Sequence, residues 1–73
     1  MATIELKADI TGNVWKILKA VGDAVQEEED VLIMESMKME IPVGSTEAGV
    51  IEEICVQEGQ TVENGTVLVR VRV

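Results

Sequence analysis

Toward the C-terminus apolar and polar positions alternate. Val67, Val69, Val71 and Val73 fall on one face and Arg70 and Arg72 on the other, the period of two of a half-buried strand. Ile4, Leu6 and Ala8 alternate with Glu5 and Lys7 in the same way. Further short strands are predicted at Asn13 to Leu18, Val31 to Ser36, Met39 to Val43 and Val50 to Val56, with Gly, Asp, Asn and Glu between them at turn-like intervals. Strands at this spacing indicate a sandwich or barrel. The choice of apolar residue agrees, since Ile and Val number nineteen against four Leu and β-branched side chains suit a pleated sheet better than a helix.

The chain also repeats itself at an offset of thirty-seven residues. Gly12 falls on Gly49, Val14 on Ile51, Ile17 on Ile54, Gly22 on Gly59 and Val25 on Val62. Beyond that the match is expected to need one gap, because Asn64-Gly65 leads into Val67 by a shorter turn than Glu27-Glu28-Glu29-Asp30 leads into Val31. Each half reads as strand, Gly-centred turn, short apolar step, turn, strand. Halves related by an approximate two-fold axis place their junction, near Met37 to Met39, opposite the meeting point of Met1 and Val73. Residue 38 is therefore expected at an exposed end.

One segment competes with the strand pattern. Glu27 to Glu40 is rich in Glu, Met, Leu and Lys, with Met34, Met37 and Ile41 at roughly helical spacing and Pro42 placed to stop a helix. The repeat overrules local propensity, because a helix there leaves the first half without the partner strand that the second half has at Val67 to Val73.

With 73 residues the chain is read as one domain, residues 1–73. A chain of this length buries about 60% of its unfolded surface and is stable by roughly 4–11 kcal/mol, leaving little for a strained catalytic pocket. The net charge of -8 argues against nucleic acid, whose binding is driven by cations that displace phosphate counterions. Cys55 is the single cysteine, so no intrachain disulfide forms, and a reducing compartment is expected. Glu5, Lys7 and Asp9 interrupt the N-terminal stretch, and no window approaches the ~20 apolar residues of a membrane span. The expected location is the cytoplasm, with no membrane partner. The absence of His, Tyr and Phe removes zinc sites built on His, His general bases and most aromatic cages. A non-catalytic protein is expected.

The residues that stand out chemically are Glu35-Ser36-Met37-Lys38-Met39-Glu40, followed by Ile41-Pro42. A lysine at the tip of a tight hairpin offers a modifying enzyme a four-carbon arm with little steric competition, and its amine is acylated only as the neutral nucleophile. Lysine is an ammonium at neutral pH, and here it has carboxylates at Glu35 and Glu40 beside it, so deprotonation falls to the partner enzyme. Lys38 then reads as a substrate. On composition alone it is one of the solvated lysines that every surface carries.

Met37-Lys38-Met39, with Glu35 three positions before the lysine, resembles the biotin attachment motif of biotinyl domains, in the biotinyl/lipoyl attachment domain family, whose modified lysine has a methionine on each side. Gly12-Asn13-Val14-Trp15-Lys16 and Val21-Gly22-Asp23-Ala24-Val25 resemble the first half of such domains. Gly49-Val50-Ile51 and Glu58 to Gly65 resemble the second. The likeness covers essentially the whole chain, and its length and Met1 make it similar to the stand-alone members.

The resemblance implies an all-β fold, a flattened β-barrel (barrel-sandwich) of two four-stranded antiparallel sheets with quasi-two-fold symmetry. The lysine then lies on a hairpin opposite the termini, and Val31 to Ser36 and Met39 to Val43 form the two arms. It further implies that a biotin protein ligase joins biotin covalently to Lys38, with Met37, Met39 and Glu35 as recognition neighbours. A biotin carboxylase then carboxylates the ring and a carboxyltransferase takes the carboxyl group onward. The domain itself catalyses nothing and contributes a tethered arm of high effective concentration.

Two departures qualify the resemblance. Glu28 stands where many relatives have a turn glycine, so the loop Gln26 to Asp30 is expected to be wider or more mobile. No insertion between Gly22 and Val31 is long enough for the protruding thumb of some bacterial carriers. Were that thumb diagnostic of acetyl-coenzyme A carboxylase carriers, this chain would serve a different acyl or urea carboxylase.

Among the neighbours, at least one of Met37 and Met39 is expected to be exposed, where adaptable thioethers suit docking to several partners, with core filling as the alternative. Met34, Met37 and Met39 form a weak Cu(I)-like set. Trp15 is expected as a core or half-buried strand residue. Cys55 is expected to be buried with no cation beside it. Glu27 to Asp30 reads as a solvated loop and lacks the ligand pattern of a calcium site.

Two other functions compete with the biotin carrier. A lipoyl carrier on the same fold usually has Asp before and Ala after its lysine, and Met37 and Met39 supply neither, although small stand-alone members resemble both families. The other is an unmodified interaction module in which Lys38 is ordinary and Lys38→Arg has no effect.

Overall fold

Eight strands, with no helix among the described residues 2–73, make up this computed structural model. They are β1 (Thr3–Lys7), β2 (Gly12–Ile17), β3 (Ala24–Val25), β4 (Asp30–Ser36), β5 (Met39–Gly44), β6 (Gly49–Ile54), β7 (Thr61–Val62) and β8 (Val67–Arg72). The ambiguous segment is strand, turn, strand, as the repeat requires. Pro42 does not stop a helix. It lies in β5 opposite Ile33, on the edge of its sheet, where a residue without an N–H is tolerated.

Two antiparallel four-stranded sheets form, in the orders β1-β8-β6-β3 and β5-β4-β2-β7. Advancing each strand of the first sheet by four positions in chain order, cyclically, reproduces the second. Pairing follows the same rule residue by residue: Val14 opposes Met34 and Ile17 opposes Leu32 in β2/β4, and Ile51 opposes Val71 and Ile54 opposes Val69 in β6/β8. Each of these is displaced by the same thirty-seven residues.

The gap expected in the repeat does not exist. Glu28 and Gly65 occupy the same place in equivalent turns. The Glu28 N–H donates to the Ser45 carbonyl and the Ser45 N–H to the Glu29 carbonyl, just as the Gly65 N–H donates to Ala8 and the Ala8 N–H to Thr66. The loop Gln26 to Asp30 is therefore no wider than its counterpart, because Glu28 adopts the left-handed conformation (φ 68°) that Gly65 adopts at φ 93°.

The core is made by the facing sides of the two sheets: Leu6, Ile51, Val69 and Val71 from one, Val14, Leu32 and Met34 from the other. Val31 and Leu68 are also fully buried although each neighbours a buried residue, which strict alternation forbids. Each is the extra residue of a bulge. In β4/β5 the pairing passes from Asp30 to Leu32, and in β1/β8 from Val67 to Val69. A bulge places one unpaired residue and turns the strand locally, which here adds a side chain to the core at equivalent points of both halves.

Candidate functional site

The β4–β5 hairpin closes with a two-residue loop, Met37-Lys38, between the paired Ser36 and Met39. Both loop residues have positive φ, 52° at Met37 and 64° at Lys38. Two positive values mark the turn whose twist matches that of the strands, and it normally uses Asn-Gly. Met and Lys occupy it against a left-handed penalty of roughly 1–2 kcal/mol per residue. The surrounding ladder sustains that strain, and it fixes the direction in which Lys38 leaves the barrel.

The base of the hairpin is tied across the barrel. A Cβ on Gly12 would lie 2.6 Å from the Glu35 carbonyl oxygen, so glycine lets β2 approach β4 directly below the turn. The Ser36 hydroxyl donates to the Thr11 carbonyl at 3.2 Å. The Asn64 N–H donates to the Thr11 hydroxyl at 3.1 Å, and its side-chain amide donates to the Asp9 carbonyl at 3.0 Å. Sequence reasoning gives none of Thr11, Ser36 and Asn64 this tying role. Their only signal is a polar turn residue, and the contacts join segments 25 to 55 residues apart.

At the tip, Met37 is 91% exposed and Met39 63%, so both thioethers face solvent, in keeping with the expectation that at least one does. Lys38 is exposed and makes no ion pair or side-chain hydrogen bond among the described residues. Glu35 and Glu40 oppose each other one step from the turn, both exposed. Met34 points into the core at 1% exposure, which separates it from the other two methionines and dissolves the Cu(I)-like set. No cluster of three His, Cys, Asp or Glu able to hold a metal is present among the described residues. The arrangement presents a primary amine on a stiff, apolar-flanked tip to a group brought from outside.

The equivalent of Ser36 and Met39 in the other half is the pair Val73 and Ala2, which hydrogen-bond in both directions at 2.8 and 3.4 Å. From that pair β1 runs the length of the barrel to the Thr11 loop that touches Ser36. The hairpin and the joined chain ends therefore lie at opposite ends of a body 36 × 17 × 17 Å. This bears out the exposed end expected for residue 38. Met1 lies outside the described residues.

Two neighbours depart from expectation. Trp15 is 41% exposed, because it is the extra residue of a bulge where β2 pairing passes from Val14 to Lys16, so both it and Lys16 face out. The Lys16 ammonium lies 5.8 Å from the Trp15 ring centroid. Cys55 is exposed, since it follows the last residue of β6 and the inward position passes to the buried Val56. It also has a cation beside it: an Arg70 guanidinium nitrogen lies 3.5 Å from its sulfur. Arg70 pairs with Glu53 at 2.5 Å and Glu5 at 3.4 Å. The hydrogen bond to Glu53 holds the guanidinium above its ordinary pKa, with Cys55 and Glu5 adding to the effect.

Comparison with known proteins agrees with this geometry. The biotin/lipoyl family model, described as "Biotin-requiring enzyme", matches residues 5–71. A biotin/lipoyl attachment protein of Bacillus subtilis is 41% identical over 59 residues, 81% of each chain. A biotin carboxyl carrier protein of Streptococcus mutans is 38% identical over 66 residues, 90% of this chain and 51% of that one. The dihydrolipoyllysine-residue succinyltransferase component of a 2-oxoglutarate dehydrogenase complex from Staphylococcus saprophyticus is 44% identical over 62 residues, 84% of this chain and 15% of that one. The crystal structure of Kluyveromyces lactis urea carboxylase superposes with a TM-score of 0.93 at 35% identity, over 99% of this chain and 6% of that one. The chain thus spans most of the Bacillus protein, about half of the Streptococcus carrier and a small part of the other two. A family match over nearly the whole chain, on a barrel that repeats itself about its hairpin end, establishes that the chain belongs to the biotin/lipoyl attachment family.

Proposed function

We propose that the chain is a biotin carboxyl carrier with Lys38 as its attachment residue, Met37 and Met39 as flanking recognition residues and Glu35 as an acidic neighbour. The observation that carries this reading is the tip itself: an unpaired lysine between two exposed methionines, on a turn whose positive φ values at Met37 and Lys38 favour other residues. Neither a solvated lysine nor a core-filling methionine requires that turn.

In this reading a biotin protein ligase removes a proton from the Lys38 ammonium. The neutral amine then attacks the activated carboxyl carbon of biotin, a C–N amide bond forms and the activating group leaves. Once attached, biotin supplies a ring that takes up a carboxyl group at a biotin carboxylase and yields it at a carboxyltransferase. The carrier's own residues do no bond chemistry. The barrel keeps the tip rigid, and the lysine stem gives the attached group an effective concentration in the millimolar range at each partner's site. An exposed free thiol at Cys55 suits a reducing cytoplasm.

The likeness to the succinyltransferase component supports a second reading, in which Lys38 carries lipoate and the barrel serves acyl transfer. Both are tested by the intact mass of the protein purified from its own host in biotin-replete medium, beside Lys38→Arg. A biotinyl shift that vanishes in Lys38→Arg is expected. A lipoyl shift moves the protein to the second reading, and no shift with an active ligase present overturns both.

A further inference from the structure

Quasi-symmetry makes each sheet a control for the other, and at one row they diverge. On the outer face of the second sheet Lys16 opposes Ile33 and Ile33 opposes Pro42, with Trp15 beside Lys16 in the bulge. Thirty-seven residues away the same row on the first sheet holds Glu52 and Glu53, Arg70 and Glu5. There the charges satisfy one another, Arg70 bridging Glu53 and Glu5. Here the row is apolar apart from Lys16, whose ammonium lies 5.8 Å from the Trp15 ring centroid, with Trp15 41% exposed, Pro42 exposed and Ile33 half-buried. Folding does not require this difference, since the backbone and core are equivalent in both halves.

The two rows also differ in what they lie near. The charged row neighbours the chain ends, where Thr3 opposes Arg72. The apolar row lies next to the row of Asn13, Glu35 and Glu40, which adjoins the turn. At about 3.4 Å per residue, Pro42 is roughly 10 Å along β5 from Met39. An ordinary interface takes about 800 Å² from each partner, a disc of roughly 16 Å radius, so one centred on Lys38 covers this strip.

We propose that the strip Trp15, Ile33 and Pro42 is the surface on which the biotin protein ligase docks while it acylates Lys38. This rests on the attachment reading above. The ligase is the occupant because it alone must bring the lysine nitrogen itself to the reacting carbon. Its surface therefore closes against the barrel around the hairpin, whereas enzymes acting on the attached ring are held off by the length of the arm. Trp in an apolar patch is the usual anchor of such contacts. Glu35 and Glu40, between the strip and the turn, match cations at the rim of the partner, and the chain's charge of -8 speeds the encounter with a basic face.

The test measures biotinylation kinetics of the full chain in its unmodified form, using the host's biotin protein ligase with biotin and ATP. Unaltered protein is compared with Trp15→Thr, Ile33→Thr and, on the equivalent charged row, Glu53→Gln. Melting temperatures of all four report folding. Trp15→Thr and Ile33→Thr are expected to raise KM about tenfold with kcat within about twofold, the signature of lost binding that does not touch the chemical step. Glu53→Gln is expected to change neither. Trp15 is exposed, so Trp15→Thr decides the matter even if Ile33→Thr fails to fold. An unchanged KM in Trp15→Thr, with unaltered protein labelled at Lys38, overturns the docking surface and leaves the attachment reading standing. No labelling of the unaltered protein, by a ligase that labels another carrier, overturns both.

Discussion

Glu28 and Gly65 hold the same left-handed backbone conformation at equivalent turns of the two halves, although only one of them is a glycine. A left-handed residue with a Cβ loses roughly 1–2 kcal/mol, while glycine loses about 0.5–1 kcal/mol of backbone entropy on folding. The first effect wins. Glu28→Gly should stabilise the protein by about 0.5 kcal/mol, and Gly65→Ala should destabilise it by about 0.5–1 kcal/mol. No atom lies within 4 Å of a Cβ built on Gly65, so the second change is a backbone effect alone. Urea unfolding of the two variants measures both signs.

Met37 offers the same test at the hairpin. Asn tolerates positive φ better than Met and is the preferred first residue of this turn. Met37→Asn should raise stability by about 0.5–1 kcal/mol while slowing modification of Lys38. Opposite movements in melting temperature and labelling rate would separate what the turn needs from what the partner reads.

Gly12→Ala should act in the other direction. Its Cβ would meet the Glu35 carbonyl oxygen at 2.6 Å, and backbone has little room to give. Overpacking of this kind costs about 1–3 kcal/mol. Amide hydrogen exchange should show the loss concentrated in β4 and β5 next to the hairpin, with the far end of the barrel unaffected.

Glu29 gives the fold a pH dependence of known sign. Its carboxylate accepts hydrogen bonds from the Lys19 ammonium at 2.6 Å and the Gln26 N–H at 2.8 Å. The Lys19 hydrogen bond, then the Gln26 one, hold its pKa below the ordinary value. The unfolded chain therefore takes up the proton first as pH falls. The contribution is complete above the ordinary glutamate pKa of about 4.3 and is lost as pH drops through the lowered folded value. Glu29→Gln should be less stable than the unaltered protein at pH 7, and melts of the two should converge as pH falls below the lowered folded value.

Six strands were legible because they are long enough to show alternation. The other two, Ala24–Val25 and Thr61–Val62, have no period to show. Val69 and Val71 share the inner face, as the alternation predicts, but the bulge turns Val67 outward opposite the exposed Lys7 and sends Leu68 into the core, which a strict period of two does not foresee. The same cause hid the orientation of Trp15. Cys55 was misplaced because its exposure depends on where β6 stops. The repeat was read with a gap because Glu28 does not look like Gly65, although the backbone treats them alike. At the site, Lys38 and its methionines stood out by type and spacing. The Thr11, Ser36 and Asn64 ties did not, since they depend on long-range closure of the barrel.

The paired ends of the chain, Ala2 and Val73, make the barrel a lever. Any polypeptide joined at either end meets it at a single fulcrum, and Lys38 sits at the far end of the 36 Å long axis. A small rotation at the fulcrum then sweeps the lysine through a wide arc before its own side chain bends at all. A group attached to Lys38 would therefore gain reach from rotation of the rigid body as well as from the flexible lysine stem. Splicing at that end into a larger chain leaves the hairpin tip in clear solvent.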